Sequence, residues 1–204
     1  MINLLFANVC YTNGAKMRKG GKDMSKTIYV VISQTGTILS RILKVITGAK
    51  YNHASISLVP DLETMYSFGR LNPYNPVLGG FVEESPHRGT FKRFRNTKVT
   101  VLSIAVTDEQ YEALGQKLKS MLENKDRYHY NYIGLFLAGV KIPYRQRRCY
   151  YCSEFVKDML VRHGIRGADQ LASIVEPMHF LQLPDANYVY CGKLRDFAEK
   201  HENK

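Results

Sequence analysis

In Tyr51-Asn52-His53-Ala54-Ser55-Ile56-Ser57-Leu58 the apolar and polar side chains alternate residue by residue. A period of two is the signature of a β-strand, so Ala54, Ile56 and Leu58 share one face and His53, Ser55 and Ser57 the other. A strand of that kind needs a core on one side and suits a cleft on the other. A second stretch, Tyr150-Tyr151-Cys152-Ser153-Glu154-Phe155-Val156, opens an amphipathic helix over Ser153–His163, with Phe155, Val156, Met159 and Leu160 turned inward and Gly164 at its end. A thiol at a helix start and an imidazole on a strand are the two parts that a cysteine hydrolase needs. The helix dipole and a neighbouring imidazolium both favour thiolate, which attacks carbonyl carbon while the imidazole handles the proton.

The chain has 204 residues, enough for one domain with a substantial core. It contains no run of about 18 apolar residues, so no transmembrane helix is expected. Ile2–Val9 is apolar but too short for a secretory core and has no basic residue before it, which predicts a cytoplasmic protein. Residues 10–26 are polar and basic, and residues 1–25 read as a loose leader ahead of a single domain over 26–204. Lys and Arg number 29 against 18 Asp and Glu, a formal net charge of +11. Such a balance suits an anionic partner, whether a membrane surface, a cell-wall fragment or nucleic acid. The densest clusters, Lys92-Arg93-Phe94-Arg95 and Arg145-Gln146-Arg147-Arg148, read as solvated loops. No helix–turn–helix, zinc-finger or aromatic RNA-binding pattern accompanies them, so no specific nucleic-acid partner is expected.

Cysteines stand at positions 10, 149, 152 and 191. Cys149-Tyr150-Tyr151-Cys152 has the C-x-x-C spacing of zinc and dithiol sites, but it comes late in the chain with no second pair beside it. The spacing is read as incidental, and neither metal nor organic cofactor is expected. His163, near a helix C-terminus, and His179, outside any ligand-like spacing, read as structural. Glu154 in a first helical turn suits the dipole.

Along the chain, Thr27–Ile32 predicts a strand, and Gln34-Thr35-Gly36-Thr37 breaks it to open a helix through about Thr47, closed by Gly48. After the His53 strand, Pro60-Asp61 turns and Thr64–Phe68 returns as a hairpin partner. Gly69 to Gly89, rich in Gly, Pro and Asn, predicts a long loop, a candidate lid. Val99–Val106 is a further strand. Thr107-Asp108-Glu109-Gln110 forms a capping box for a helix striped by Tyr111, Leu114, Leu118, Met121 and Leu122. Ile133–Val140 predicts a short buried helix, and Asn187–Cys191 a late strand before a helical tail. Interspersed helices and strands with an early hairpin argue for an α+β fold.

The order His53 strand, hairpin and then Cys152 helix resembles the circularly permuted NlpC-type branch of papain-fold cysteine hydrolases. That branch includes YiiX-like bacterial proteins, with lecithin–retinol acyltransferase a more distant relative. Unpermuted members place Cys before His; here His53 precedes Cys152. "Cys-Ser-Glu-Phe-Val" and "Tyr-Asn-His-Ala-Ser-Ile" carry the resemblance, which covers roughly residues 27–165. It implies a permuted papain-like fold, an antiparallel sheet packed against helices with the nucleophile at a helix N-terminus. It also implies Cys152 as nucleophile and His53 as general base and acid, with a third polar group on the following strand to orient the imidazole. Laying Tyr66-Ser67-Phe68-Gly69 on the family's strand puts Tyr66 where an acid often stands; Ser67 or Glu63 takes that role if the register slips. Alternation also favours Tyr66, with Met65 expected on the apolar face.

The expected function is therefore hydrolysis or acyl transfer at an amide, ester or thioester, through an acyl-enzyme on Cys152. Ser67, Arg70, Tyr151 and Gln34 are candidates for substrate contact, Gln34 as a donor to the oxyanion. The small acyl or peptide substrate, such as an anionic lipid or cell-wall fragment, is left open by the sequence. The competing expectation is a catalytically inactive papain-fold module that binds an anionic ligand, because no acid is visible beside His53.

Overall fold

The computed structural model describes residues 26–35 and 51–202. The basic leader, Cys10 and the helix expected between Gly36 and Gly48 lie outside those residues. Among the described residues eight strands form one sheet: β1 (Lys26–Gln34), β2 (His53–Ser57), β3 (Met65–Asn72), β4 (Asn75–Glu84), β5 (Lys98–Val106), β6 (His129–Tyr130), β7 (Cys149–Tyr150) and β8 (Ala186–Lys193). Their order is β7-β6-β4-β3-β2-β1-β5-β8. Every neighbouring pair is antiparallel except the short β6–β7 edge. The helices are α1 (Gly89–Arg93), α2 (Asp108–Glu123), α3 (Tyr132–Gly139), α4 (Cys152–Arg162) and α5 (Leu194–Glu202). The α+β class expected from the sequence is the class observed.

The sheet carries a core on each face. On one, Ile28, Val30, Ile32, Ala54 and Ile56 meet Leu114, Leu118 and Met121 of α2 and Phe155, Val156, Met159 and Leu160 of α4. On the other, Val31, Met65, Val99 and Val101 meet Phe91 of α1 and Leu194 and Phe197 of α5. The capping box forms as the spacing implies: the Thr107 hydroxyl accepts from the Gln110 N–H, and the Gln110 side chain accepts from the Thr107 N–H.

Two elements differ from expectation. The stretch after Gly69 is a hairpin and no loop: β3 and β4 pair from Met65↔Glu84 to Asn72↔Asn75. Its glycines are packing devices. A Cβ on Gly79 would lie 2.7 Å from the Tyr132 hydroxyl and 2.8 Å from Tyr130 Cβ, and one on Gly80 would lie 3.1 Å from the Tyr128 carbonyl. The residues that look like strand breakers are thus where β6 and α3 press onto β4. The second difference is α3, which forms where expected but is not buried: Ile133 is 58% exposed and Phe136 72%.

Candidate active site

His53 is the first residue of β2, and its imidazole is bracketed by two partners. Nε2 lies 3.0 Å from both oxygens of Glu84, the last residue of β4. Cys152, at the start of α4, is near enough to act on the same ring, and its influence adds to that of Glu84 in raising the basicity of His53. Cys152 Sγ also lies 3.9 Å from the Asn52 carbonyl, which holds it at the entry to β2.

The ladders explain why these groups meet. Ser57 pairs with Met65 and Met65 with Glu84, so Glu84 shares the sheet face of Ser55 and His53. The residues between are small. Ser55 donates to Glu84 Oε2 at 2.7 Å, and Ser67 donates to the Ala54 carbonyl at 2.9 Å while its oxygen lies 3.2 Å from His53 Nε2. A Cβ on Gly69 would stand 3.3 Å from Glu84 Oε1 and 3.6 Å from His53 Cε1. Phe91 of α1 covers the ring at 6.2 Å between centroids. The His53 and Glu84 side chains keep only 13% and 11% of their surface.

The electrostatics follow from that packing. Burial alone lowers the basicity of His53. The Glu84 charge, hydrogen bonds to Cys152 and Glu84, and the Cys152 charge oppose it, and the net result holds the imidazole well above its usual pKa. An imidazole of that kind stays protonated near neutrality, which is the state that stabilises a thiolate beside it.

The Cys152 end opens into a cleft. Tyr51 and Asn52 form one wall and Leu135, Ala138 and Gly139 of α3 another, with Tyr151 and the Ile174–Pro177 segment completing it. The cavity itself is about 60 Å³ and opens to solvent, smaller than the roughly 300–1,000 Å³ of closed small-molecule sites, so a substrate would lie partly outside it. Tyr151 is the residue before α4 and is nearly buried. Burial, then the charges of Glu154 and Cys152, push its phenol far up, so it stays neutral.

The sequence candidates separate accordingly. Cys152 and His53 are brought together, and Tyr151 lines the cleft. Tyr66 is not beside His53: it pairs with Ile56, packs with the core under α4, and stacks on Phe81 at 6.1 Å. Met65, expected on that core, lies on the His53 face instead. Both faces are buried, so an apolar side chain marks neither one, and the inference from alternation had no unique answer. Ser67 is fully buried against His53. Glu63 pairs with His87 at 3.2 Å. Gln34 pairs with Lys98 in the β1–β5 ladder and lines a surface depression with Arg93 to Lys98, outside the Cys152 cleft. Arg70 stands by Tyr130 and Tyr132, with a buried Nη2 that has no partner and a pKa lowered chiefly by burial. The missed residue is Glu84, hidden within a stretch read as loop. A hairpin tip at Asn72-Pro73-Tyr74-Asn75 is the signal that would have placed it on the strand after Ser67.

Cys149 is unbonded, and among the described residues no three His, Cys, Asp or Glu side chains converge as metal ligands. His179 accepts from the Glu176 N–H and His163 caps α4 through Met159. No family model matches the chain, and no curated protein shows significant similarity to it. Among the described residues, no helix is long and apolar enough to cross a membrane.

Proposed function

We propose that the protein is a cysteine-dependent hydrolase or acyltransferase with Cys152 as nucleophile, His53 as general base and acid, and Glu84 as the group that orients and charges the imidazole. One observation supports this above the rest: a single buried imidazole is held by the Glu84 carboxylate while Cys152, at the N-terminus of α4, acts on the same ring. The thiolate forms a bond to the carbonyl carbon of an amide, ester or thioester. As the tetrahedral intermediate collapses, His53 gives its proton to the departing nitrogen, oxygen or sulfur, and the acyl group stays on Cys152. His53 then takes a proton from water or a second acceptor, which attacks the acyl-enzyme and restores the thiol. The N–H groups in the first turn of α4 have no partner within the helix and are the nearest donors for the oxyanion. A permuted papain-like arrangement, with the His strand ahead of the Cys helix, is the fold reading that goes with this chemistry.

The inactive binding module rested on the lack of an acid, and Glu84 removes that ground. The deciding experiment is intact-mass analysis after incubation with activated acyl donors. An adduct on wild type that is absent from Cys152→Ala supports the reading. No adduct with amide, ester or thioester donors, together with Cys152 labelling by iodoacetamide that ignores His53→Ala, sinks it.

A further inference from the structure

Next to the cleft the molecule exposes an apolar face that no part of the described structure covers. Ile133 and Phe136 on α3 and Val140 at its C-cap fall at i, i+3 and i+7 and are all more than half exposed. The tip of the β3–β4 hairpin adds Tyr74 at 76% and Val77 at 71%. The Tyr132 hydroxyl donates to the Val77 carbonyl at 2.6 Å and ties the two elements into one surface. Single exposed apolar residues are ordinary, but a contiguous set marks a contact surface.

The charge around the face selects the partner. Lys141 directly follows α3, whereas Arg145, Arg147 and Arg148 line a separate depression with Glu154 and Asp158, Arg145 lying 3.6 Å from Glu154. At the hairpin tip Arg93 lies 4.2 Å over the Tyr74 ring and donates to the Pro73 carbonyl. Apolar side chains to bury and cations flanking them fit a bilayer bearing anionic headgroups. With 8 residues, α3 is about 12 Å long and cannot cross a hydrocarbon core of roughly 30 Å. It would lie in the interface.

We infer that α3 and the β3–β4 tip form a docking surface for anionic lipid bilayers, and that docking brings the mouth of the Cys152 cleft onto the membrane. The continuity is direct, since Leu135, Ala138 and Gly139 on the same helix line that cleft. Docking itself needs no chemistry at Cys152, so it stands or falls separately from the catalytic reading.

The test is co-sedimentation of the full chain with extruded vesicles of phosphatidylcholine, alone or mixed with phosphatidylglycerol. Binding to the mixed vesicles is expected to be at least roughly tenfold tighter and to weaken with salt. Ile133→Asp/Phe136→Asp is expected to lower it by roughly tenfold or more. Tyr74→Ser, on a separate exposed tip, is expected to weaken it too, which keeps the test valid should the helix variant lose its fold by circular dichroism. Cys152→Ala is expected to bind like wild type. Equal binding to both vesicle types, no binding, or full binding by folded Ile133→Asp/Phe136→Asp and by Tyr74→Ser overturns the proposal. So does a wild-type dimer in sedimentation velocity that these substitutions convert to monomer, because the face would then be a contact between copies of the chain.

Discussion

Replacing Glu84 by Gln keeps the outline of the side chain and removes the charge that faces His53. Without it, burial is opposed only by the contacts to Cys152 and a neutral amide, and the imidazole loses its proton at lower pH. In wild type, iodoacetamide labelling of Cys152 is expected to persist at low pH, where His53 holds its proton. In Glu84→Gln that low-pH reactivity shrinks, and turnover falls on the order of 10²–10⁴-fold, the usual worth of positioned acid–base groups. Tyr66→Phe separates this assignment from the one that alternation favoured. Its hydroxyl has no part in the His53 network, so the labelling profile by peptide mass should match wild type. If Tyr66→Phe abolishes the low-pH labelling and Glu84→Gln does not, Glu84 is the wrong residue.

At the scale of elements, the strand carrying His53 and the helix behind Cys152 were legible because each has a sharp period, and so was the Thr107 capping box. The β3–β4 hairpin was not, because Gly79 and Gly80 look like loop residues until Tyr128, Tyr130 and Tyr132 are seen lying on them. Glu84 was lost with the hairpin. The choice of face failed for a different reason: alternation tells which residues share a side, but two buried sides leave no rule for naming the catalytic one. Gly69 illustrates how closely the strands serve the site. In Gly69→Ala the new methyl group presses on Glu84 Oε1 at 3.3 Å, and the carboxylate must move by tenths of an ångström from His53 and Ser55. Because the neighbour that yields is the carboxylate bonded to His53, roughly tenfold of any turnover should be lost with little change in melting temperature, since sub-ångström misplacement acts on a reaction more than on folding. Phe155→Ala is expected to do the reverse. Phe155 is wholly buried among Phe68, Phe81 and Tyr150, and its truncation should cost about 3–5 kcal/mol in denaturant unfolding.

For the molecule as a whole, the buried pair links stability to pH. The folded state holds the His53 proton more tightly than an unfolded chain does, since Glu84 and Cys152 raise its pKa well above the ordinary 6.5. Its contribution to stability is therefore fully present below about 6.5 and is lost as pH climbs through the higher folded-state value. Glu84 in the unfolded chain is hydrated and distant from His53, so the effect belongs to the fold. The clean measurement uses Cys152→Ala, in which thiol ionisation cannot contribute while the larger favourable influence, Glu84, remains. Melting temperature followed upward from pH 6 should decline in Cys152→Ala and decline less steeply in Cys152→Ala/Glu84→Gln. Parallel curves would mean that His53 is not held protonated by Glu84. The buried His53–Glu84 pair would then be contributing nothing to the fold, and the side-chain link from β2 to the end of β4 would rest on the Ser55–Glu84 hydrogen bond.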